Sequence, residues 1–279
     1  IKQRSSTQQW NGYDAPRGVT KYLGWNTGIV ENTQAEGLTA FGSDGFTVGT
    51  DDLVNKSSST YVAFCWKESA TSGFDMVLYA GTGSARTISH SLSAVPKMIF
   101  VKDRDNGDYA WHVYNEKVGN GKTFYLNVTN APDTNSSYWN DTTPTSSVFS
   151  VGTSVTTNND GDDFIAYLFA DVQGFCKLGS WVGTGNLDGA FVFTGFRPAF
   201  VMAKGTNDNA WNIWDNKRST FNEVQTYLQP TQNYAEVTST SGNNLDFCAN
   251  GFKITEDNGE VGTSGQEYIY LAISEAPFV

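Results

Sequence analysis

Short apolar runs separated by polar turn clusters make up most of the chain. The turns at 104–108 and 158–162 contain Asn-Gly or Asp-Gly steps, which supply the positive φ that tight hairpins need. Apolar runs of this length and spacing predict the antiparallel strands of a β-sandwich or jelly roll. Between residues 73 and 177 the predicted strands are Met76–Ala80, Lys97–Lys102, Tyr109–Tyr114, Thr123–Val128, Ser147–Val151 and Phe164–Ala170.

One of these runs, Phe164–Ala170, is apolar at consecutive positions instead of alternate ones. A strand that is apolar on both faces is buried on both faces. We therefore expect this strand in the middle of a sheet, covered on one side by a partner sheet and on the other by a neighbouring unit or chain.

The pattern repeats itself about every 100 residues. Trp10, Trp111 and Trp211 each open a run whose fourth residue is aromatic and whose fifth is Asp or Asn, at spacings of 101 and 100 residues. Apolar stretches that end in an acidic residue close the copies, at 61–68, 164–171 and 268–275. Such a period predicts an array of related units. The predicted units are 1–72, which is a truncated first repeat, 73–177 and 178–279.

The first unit begins only nine residues before its tryptophan, and the chain has no initiator Met. We therefore expect the sequence to be a fragment or a processed form of a longer product. The unit is predicted to lack counterparts of Met76–Ala80 and Lys97–Lys102, which would leave unpaired strand edges and an uncovered apolar face. These strands are expected to come from residues upstream of Ile1, from a neighbouring subunit or from another protein.

Composition supports an all-β fold. The chain has 28 Gly, 14% aromatic residues and only 17% charged residues, and it lacks helical stretches rich in Ala, Leu, Glu and Lys. A net charge of −11 leaves no basic stripe for nucleic-acid contacts, so DNA and RNA are not expected partners. No stretch approaches the roughly 18 apolar residues of a membrane span, so none is predicted.

The cysteines do not follow the repeat. Cys65, Cys176 and Cys248 are an odd number at unrelated points of the three units. This is not the pattern of a disulfide framework. We therefore expect no disulfide and assembly in a reducing cytoplasm.

The second unit carries a series of motifs in a fixed order. They are Gly81–Gly83, His90–Leu92, Pro96–Lys102, Trp111–Tyr114, Tyr125–Asn127, Tyr138–Asn140 and Phe164–Phe169. Stretches of the same kind occur at Asp14–Gly18, Lys21–Leu23, Gly195–Pro198, Asp215–Arg218 and Glu275–Val279. Together they resemble the repeat domains of phage tail-fibre-like proteins of the marine cyanophage and pelagiphage type, over nearly the whole chain.

The resemblance implies a virion appendage or virion surface protein. It implies other virion proteins as partners, a homo-oligomer with a trimer favoured for a fibre, and a place on the virion surface after assembly in the host cytoplasm. The family offers no catalytic residues to carry over, so the chain is expected not to be an enzyme.

Trp10, Trp111 and Trp211 invite two interpretations. Tryptophan faces stack on sugar rings while neighbouring Asn or Asp side chains bind the hydroxyl groups, as in a lectin. However, these three residues recur at the same place in every unit, and Trp111 and Trp211 lie in alternating, strand-like runs. We therefore predict that they form the structural core of the repeat.

The segment Tyr138, Trp139, Asn140 and Asp141 is different. It lies in a polar, turn-rich stretch that has no matching tryptophan in the third unit. We predict that Trp139 is more exposed than the repeated tryptophans. The four residues are the candidate binding site for a host surface glycan or protein.

Asp160, Asp162 and Asp163 lie in an acidic turn that is a candidate Ca²⁺ site, because this ion binds carboxylate and carbonyl oxygens. The spacing does not match a complete calcium-loop motif, so a solvated hairpin tip is the alternative. No other cofactor is predicted. His90 and His112 have no counterparts in the other units, and no pair among the 29 acidic residues stands out as suited to glycoside hydrolysis.

The leading hypothesis is a non-enzymatic structural and adhesive component of a tailed-phage particle, in a tail fibre or similar appendage. Many weak contacts from a multimer would supply avidity for a host surface. Two alternatives stay open. One is a head-decorating or collar fibre protein without receptor binding, and the other is a polysaccharide depolymerase with close carboxylates at a chain interface.

Overall fold

The computed structural model describes residues 1–239, 242–257 and 259–275. In these ranges the chain forms 24 β-strands, two four-residue α-helices and one 3-10 turn, which confirms the all-β prediction. Every pair of strands in these ranges is antiparallel. None of the helices described there has the length and apolar character that crossing a bilayer requires.

The elements are grouped by the three predicted units, and the strand Cys176–Val182, which crosses the boundary predicted between 177 and 178, is counted with the third. The first unit contains β1 (Lys2–Gln3), β2 (Asn11–Gly12), β3 (Lys21–Gly24), β4 (Asn32–Thr33), β5 (Leu38–Phe41), β6 (Phe46–Val48), α1 (Asp52–Asn55), β7 (Tyr61–Val62) and the 3-10 turn Ala70–Ser72. The second contains β8 (Phe74–Ala80), β9 (Arg86–Ser89), β10 (Met98–Asp103), β11 (His112–Asn115), β12 (Lys122–Tyr125), β13 (Asp133–Thr134), β14 (Val148–Val151), α2 (Val155–Asn158) and β15 (Asp163–Phe169). The third contains β16 (Cys176–Val182), β17 (Phe191–Phe193), β18 (Pro198–Gly205), β19 (Asn212–Asp215), β20 (Thr226–Tyr227), β21 (Val237–Thr238), β22 (Leu245–Cys248), β23 (Gly251–Ile254) and β24 (Glu267–Ser274).

The second and third units share the order of four strands in their main sheets. In the second unit the main sheet runs β13-β12-β11-β10-β15-β8, and β9 pairs with β14 over its face. In the third unit the order is β19-β18-β24-β16, and β17 pairs with β23. The closing strands β15 and β24 each lie between two neighbours, which confirms the central position predicted for 164–170.

The first unit repeats part of this arrangement. Strands β2, β3 and β4 correspond to β11, β12 and β13, and β1 pairs with β7 as β10 pairs with β15. Lys2 faces Val62 just as Lys102 faces Ile165. The prediction that this unit lacks a counterpart of Lys97–Lys102 is therefore wrong in part, because β1 occupies the end of that strand. No strand in the described ranges takes the place of β8 beside β7.

All three units contribute to one hydrophobic core. Leu23, Phe124 and Leu228 hold equivalent places beside the repeated tryptophans, and each is at most 1% exposed. The second and third units each have a further core between their two layers. The units therefore form one folded block and do not behave as separate domains strung along the chain.

The repeated tryptophans link the units into a closed ring. Trp10, Trp111 and Trp211 are at most 2% exposed, and each indole Nε1 donates a hydrogen bond to a backbone carbonyl of another unit. The acceptors directly follow the three core residues named above, so they too are equivalent, and the contacts follow a threefold pattern. The bonds run from Trp10 to Gln229 (3.2 Å), from Trp111 to Gly24 (2.9 Å) and from Trp211 to Tyr125 (2.7 Å).

A buried lysine holds the loop that leads to each tryptophan. Lys2, Lys102 and Lys204 are 0% exposed, and their ammonium groups donate to backbone carbonyls, such as that of Tyr109 for Lys102 at 3.1 Å. Burial disfavours the charged form and lowers the pKa of each lysine to about 8. Lys204 also donates to the carbonyl of Thr129 at 2.9 Å, which ties the third unit to the second.

Candidate functional site

The predicted exposure of Trp139 is wrong. Its side chain is 1% exposed, as buried as Trp111, and its indole Nε1 donates to the backbone carbonyl of Lys122 at 3.1 Å. The ring packs edge-to-face on Tyr114, in the core between the two layers of the second unit. The polar residues of the segment lie in the turn, and Trp139 between them is a core residue.

The other residues of the predicted binding segment fall into two groups. Tyr138 is 8% exposed, and its hydroxyl donates to the Asp133 carboxylate at 2.7 Å. Asn140 and Asp141 are exposed at a turn with φ of 54° and 43°. A ligand at this turn would meet polar side chains without the aromatic face that stacks on a sugar. Ligand binding by the segment stays a prediction.

His112 lies in an aromatic cage beneath this segment. Its ring centroid is 5.1 Å from that of Tyr125 and 4.7 Å from that of Tyr138. Burial lowers the pKa of His112 to about 3, so the imidazole is neutral, and its Nδ1 has no hydrogen-bond partner in the described part of the chain. His90 contacts the carbonyl of Thr145 at the end of β9, so the two histidines lie on different sheets.

The acidic turn predicted to hold Ca²⁺ does not gather its carboxylates. Asp160 and Asp163 are exposed, and Asp163 lies 3.6 Å from Arg104. Asp162 accepts a hydrogen bond from the side-chain amide of Asn159 at 2.8 Å. Among the described residues, no group of three or more His, Cys, Asp or Glu side chains is placed to hold a metal ion. The hairpin-tip alternative fits this geometry.

A partly buried ion network joins the first unit to the second. Arg17 is 0% exposed at its side chain, donates to Asp14 at 2.6 Å and lies 3.5 Å from Glu31. Glu31 accepts from Arg104 of the second unit at 2.9 Å, and the Glu31 backbone N–H donates to the Arg104 carbonyl. Burial alone would raise the pKa of Glu31, but the two arginines lower it. We call this set of four residues, Asp14, Arg17, Glu31 and Arg104, the junction relay.

The same relay joins the third unit to the first. Arg218 donates to Asp215 at 2.5 Å and to Glu236 at 3.1 Å, and Arg4 of the first unit donates to Glu236 at 2.8 Å. The Glu236 backbone N–H again donates to the carbonyl of the second arginine, Arg4. Sequence reasoning missed both relays, although the matching Asp and Arg positions of the two units were open to comparison.

The junction between the second and third units has no relay. Its four positions hold Asn115, Val118, Pro132 and Thr206, all neutral. Because proline has no backbone N–H, the main-chain bond seen at the other junctions cannot form here. A cavity of about 330 Å³ lies at this place, lined in part by Val118, Pro132 and Thr206.

Phe191 and Phe193 form an exposed apolar pair on β17. They are 49% and 64% exposed, whereas Val192 between them faces the core. The pairing of β9 with β14 and of β17 with β23 places Thr87 and Ser89 at the equivalent outward positions of the second unit. The fold therefore does not require phenylalanine at these positions. Sequence reasoning missed the pair, which a unit-by-unit alignment of the F-V-F run would have found.

Comparison with known proteins gives one family. A family model described as Domain of unknown function (DUF7483) matches residues 1–277. No curated protein and no solved structure matches the chain. The match spans all three units.

Proposed function

The chain belongs to the DUF7483 family, and we propose that it is a structural and adhesive component of a tailed-phage particle, in a tail fibre or similar appendage. The observation that carries the proposal is the closed ring of three units around one core. A block locked in this way holds surface loops in fixed positions, as a contact module on a particle surface must.

We propose that each complete unit is a β-sandwich of the jelly-roll or lectin-like type and that the first unit is a shortened copy. Two observations support this. The second and third units share the order of four strands in their main sheets, and in each of them a smaller sheet packs over a larger one. The units of about 100 residues would then be arranged around a common axis. On the particle, the block would assemble with other virion proteins, as a homotrimer in the case of a fibre.

The exposed pair Phe191 and Phe193 is the proposed contact face. Large apolar side chains that the fold does not need are typical of interaction sites. The face is proposed to contact a host surface glycan or protein, because aromatic rings pack against either.

Electron microscopy of particles from a phage that encodes the chain tests its location. Antibodies raised against the purified chain are expected to label the tail fibres. Label on the head or collar would favour a decorating role, and particles without any label would overturn the proposal.

Cell binding tests the adhesive part. Fluorescently labelled chain is expected to bind host cells, and the double variant Phe191→Thr/Phe193→Ser is expected to bind about tenfold more weakly, a loss of about 1.4 kcal/mol. The same residue types occupy the equivalent positions of the second unit, so the variant should fold normally. Val155→Thr, which changes another exposed apolar residue, is the control. Equal binding by the double variant would contradict the contact face.

A further inference from the structure

The junction between the second and third units contains a cavity of about 330 Å³ at the place where the other two junctions hold the relay. Val118 and Pro132 line this cavity, and they occupy the positions of Arg17 and Glu31 in the first relay. Small-molecule sites have volumes of about 300–1,000 Å³. The smaller side chains of this junction therefore leave a cavity that is large enough for a small ligand.

The cavity keeps a lysine that pairs with the relay at the junction between the first and second units. The pairing of β3 with β4 and of β12 with β13 places Lys21 and Lys122 at the same register position. In the first unit the Lys21 ammonium lies 4.0 Å from the Glu31 carboxylate. Lys122 lines the cavity, and Pro132 occupies the position of that glutamate. The lysine is therefore retained while its acid is replaced by a neutral residue.

A second lysine, Lys117, lines the same cavity and pairs with an acid at its edge. The Lys117 ammonium lies 3.0 Å from Glu267, the first residue of β24. The first residue of β15, Asp163, lies 3.6 Å from Arg104 in the same way. Lys117 therefore pairs with the acid that Arg104 contacts in the first relay. Arg104 has a second carboxylate partner, Glu31, at 2.9 Å, and no acid occupies the equivalent position beside Lys117.

The charges around the cavity favour an anion inside it. Lys117 and Lys122 both line it, and among the described residues that do so Glu267 is the one acid. Asp208 lies nearby, but its carboxylate accepts a hydrogen bond from the backbone N–H of Ala131 at 2.6 Å. The lining thus carries one more positive charge than negative. A carboxylate between the two ammonium groups would form charge-assisted hydrogen bonds with both of them.

We propose that this cavity binds a small organic carboxylate, with the carboxylate group between Lys117 and Lys122. The ligand's carboxylate takes the place that the Glu31 side chain has in the first relay. Val118 and Pro132 form an apolar wall against which the body of the acid packs. The ligand thus supplies the negative charge that a glutamate of the chain supplies at the other two junctions. The proposal does not depend on the assignment to a phage particle.

A chemical-shift titration of the isotope-labelled chain measures this binding. The probes are glucuronate, a sugar acid, and cyclohexanecarboxylate, an apolar acid with a ring of similar size. We expect saturable shifts of the backbone amides of Lys117, Lys122 and Thr206, with a Kd of about 1 mM for the better probe. The probe that binds more tightly identifies the body of the acid as a sugar or as an apolar ring. Glucose, which has the ring of glucuronate without the carboxylate, should not shift these amides.

Variants of two lining residues test the place of the carboxylate. Pro132→Glu restores the glutamate of the other two junctions and should weaken binding of the better probe at least about tenfold, because the tethered carboxylate competes at a high effective concentration. Pro132→Gln has a side chain of the same size without the charge and should bind like the wild type. Lys122→Gln removes one exposed ion pair and should weaken binding about two- to fivefold.

Three results would overturn the proposal. The first is that neither acid gives saturable shifts at about ten times the expected Kd. The second is that glucose shifts the same amides as strongly as glucuronate does, because the carboxylate would then contribute nothing. The third is equal affinity of Pro132→Glu and Pro132→Gln for the better probe, which would place the ligand's carboxylate elsewhere.

Discussion

His112 replaces an asparagine that the other two units have at the same position. Asn11 donates to the carbonyl of Leu53 at 3.5 Å, and Asn212 donates to Glu260 at 2.8 Å. His112 instead lies in the aromatic cage, and its Nδ1 has no hydrogen-bond partner in the described part of the chain. Its fit therefore depends on its protonation state, since burial penalises only the charged imidazolium.

Acid is expected to destabilise the fold through His112. Its pKa is about 3 in the folded chain against 6.5 for an ordinary histidine. Below pH 6.5 the unfolded chain binds a proton that the folded chain does not, so the free energy of unfolding falls as the pH drops toward 3. Between about pH 7.5 and pH 5 the loss amounts to roughly 2 kcal/mol. Urea unfolding at both pH values measures it, and His112→Asn should lose less stability by about this amount. Equal losses would contradict the assignment.

Trp139→Ala is expected to destabilise the chain as much as Trp111→Ala, by roughly 3–5 kcal/mol each. Both side chains are 1% exposed, and both indole N–H groups donate to backbone carbonyls. Equilibrium unfolding of the two variants gives the comparison. Phe193→Ser, at an exposed position, should change stability by less than about 0.5 kcal/mol. A Trp139 variant as stable as the wild type would show that its burial contributes nothing.

At the level of elements, each junction between two units has either all four charged residues of the relay or none of them. The first–second and third–first junctions have all four charged residues, and the second–third junction has none. This pattern is expected if an incomplete relay makes the fold less stable than no relay does. A buried charge without its partner keeps its full desolvation penalty.

Arg17→Val should therefore be more harmful alone than together with Asp14→Asn. The single variant leaves the buried Asp14 carboxylate without its counter-ion and should cost about 3–5 kcal/mol. The double variant recreates the Asn and Val of the neutral junction and should be more stable than the single one by at least about 1 kcal/mol. Chemical denaturation of both variants decides the matter. A double variant that is less stable than the single one would refute the interpretation.

Most strands of the second unit are predictable from the apolar pattern, because each is a short apolar run bounded by polar turn residues. Strand β10 differs from the predicted Lys97–Lys102 by one residue at each end. Strand β11 begins at His112 and not at Tyr109, because the carbonyl of Tyr109 belongs to the loop that Lys102 holds. The local polar pattern predicts an exposed Trp139, but this side chain is buried. Its burial depends on a hydrogen bond to the backbone carbonyl of Lys122, which is distant in the sequence.

At the scale of the whole molecule, the closure of the ring cannot be predicted from local sequence patterns. The contact that closes it joins Trp10 to Gln229, 219 residues apart. The repeat indicates three similar units, but their packing around one core depends on such long-range contacts, which periodicity does not encode. The relay between Arg4 and Glu236 lies at the same junction, so the closing contact is both apolar and ionic.

The central claim is that the three units form a single cooperative block, and unit-resolved hydrogen exchange along a urea titration of wild type and Trp10→Ala tests it most directly. Trp10 contributes to the core of all three units and bonds to the third. We expect peptides from β3, β12 and β19 to lose protection at one common urea concentration, and that concentration to fall equally for all three in the variant. Separate midpoints, or a third unit whose midpoint does not move when Trp10 is removed, would contradict the shared core.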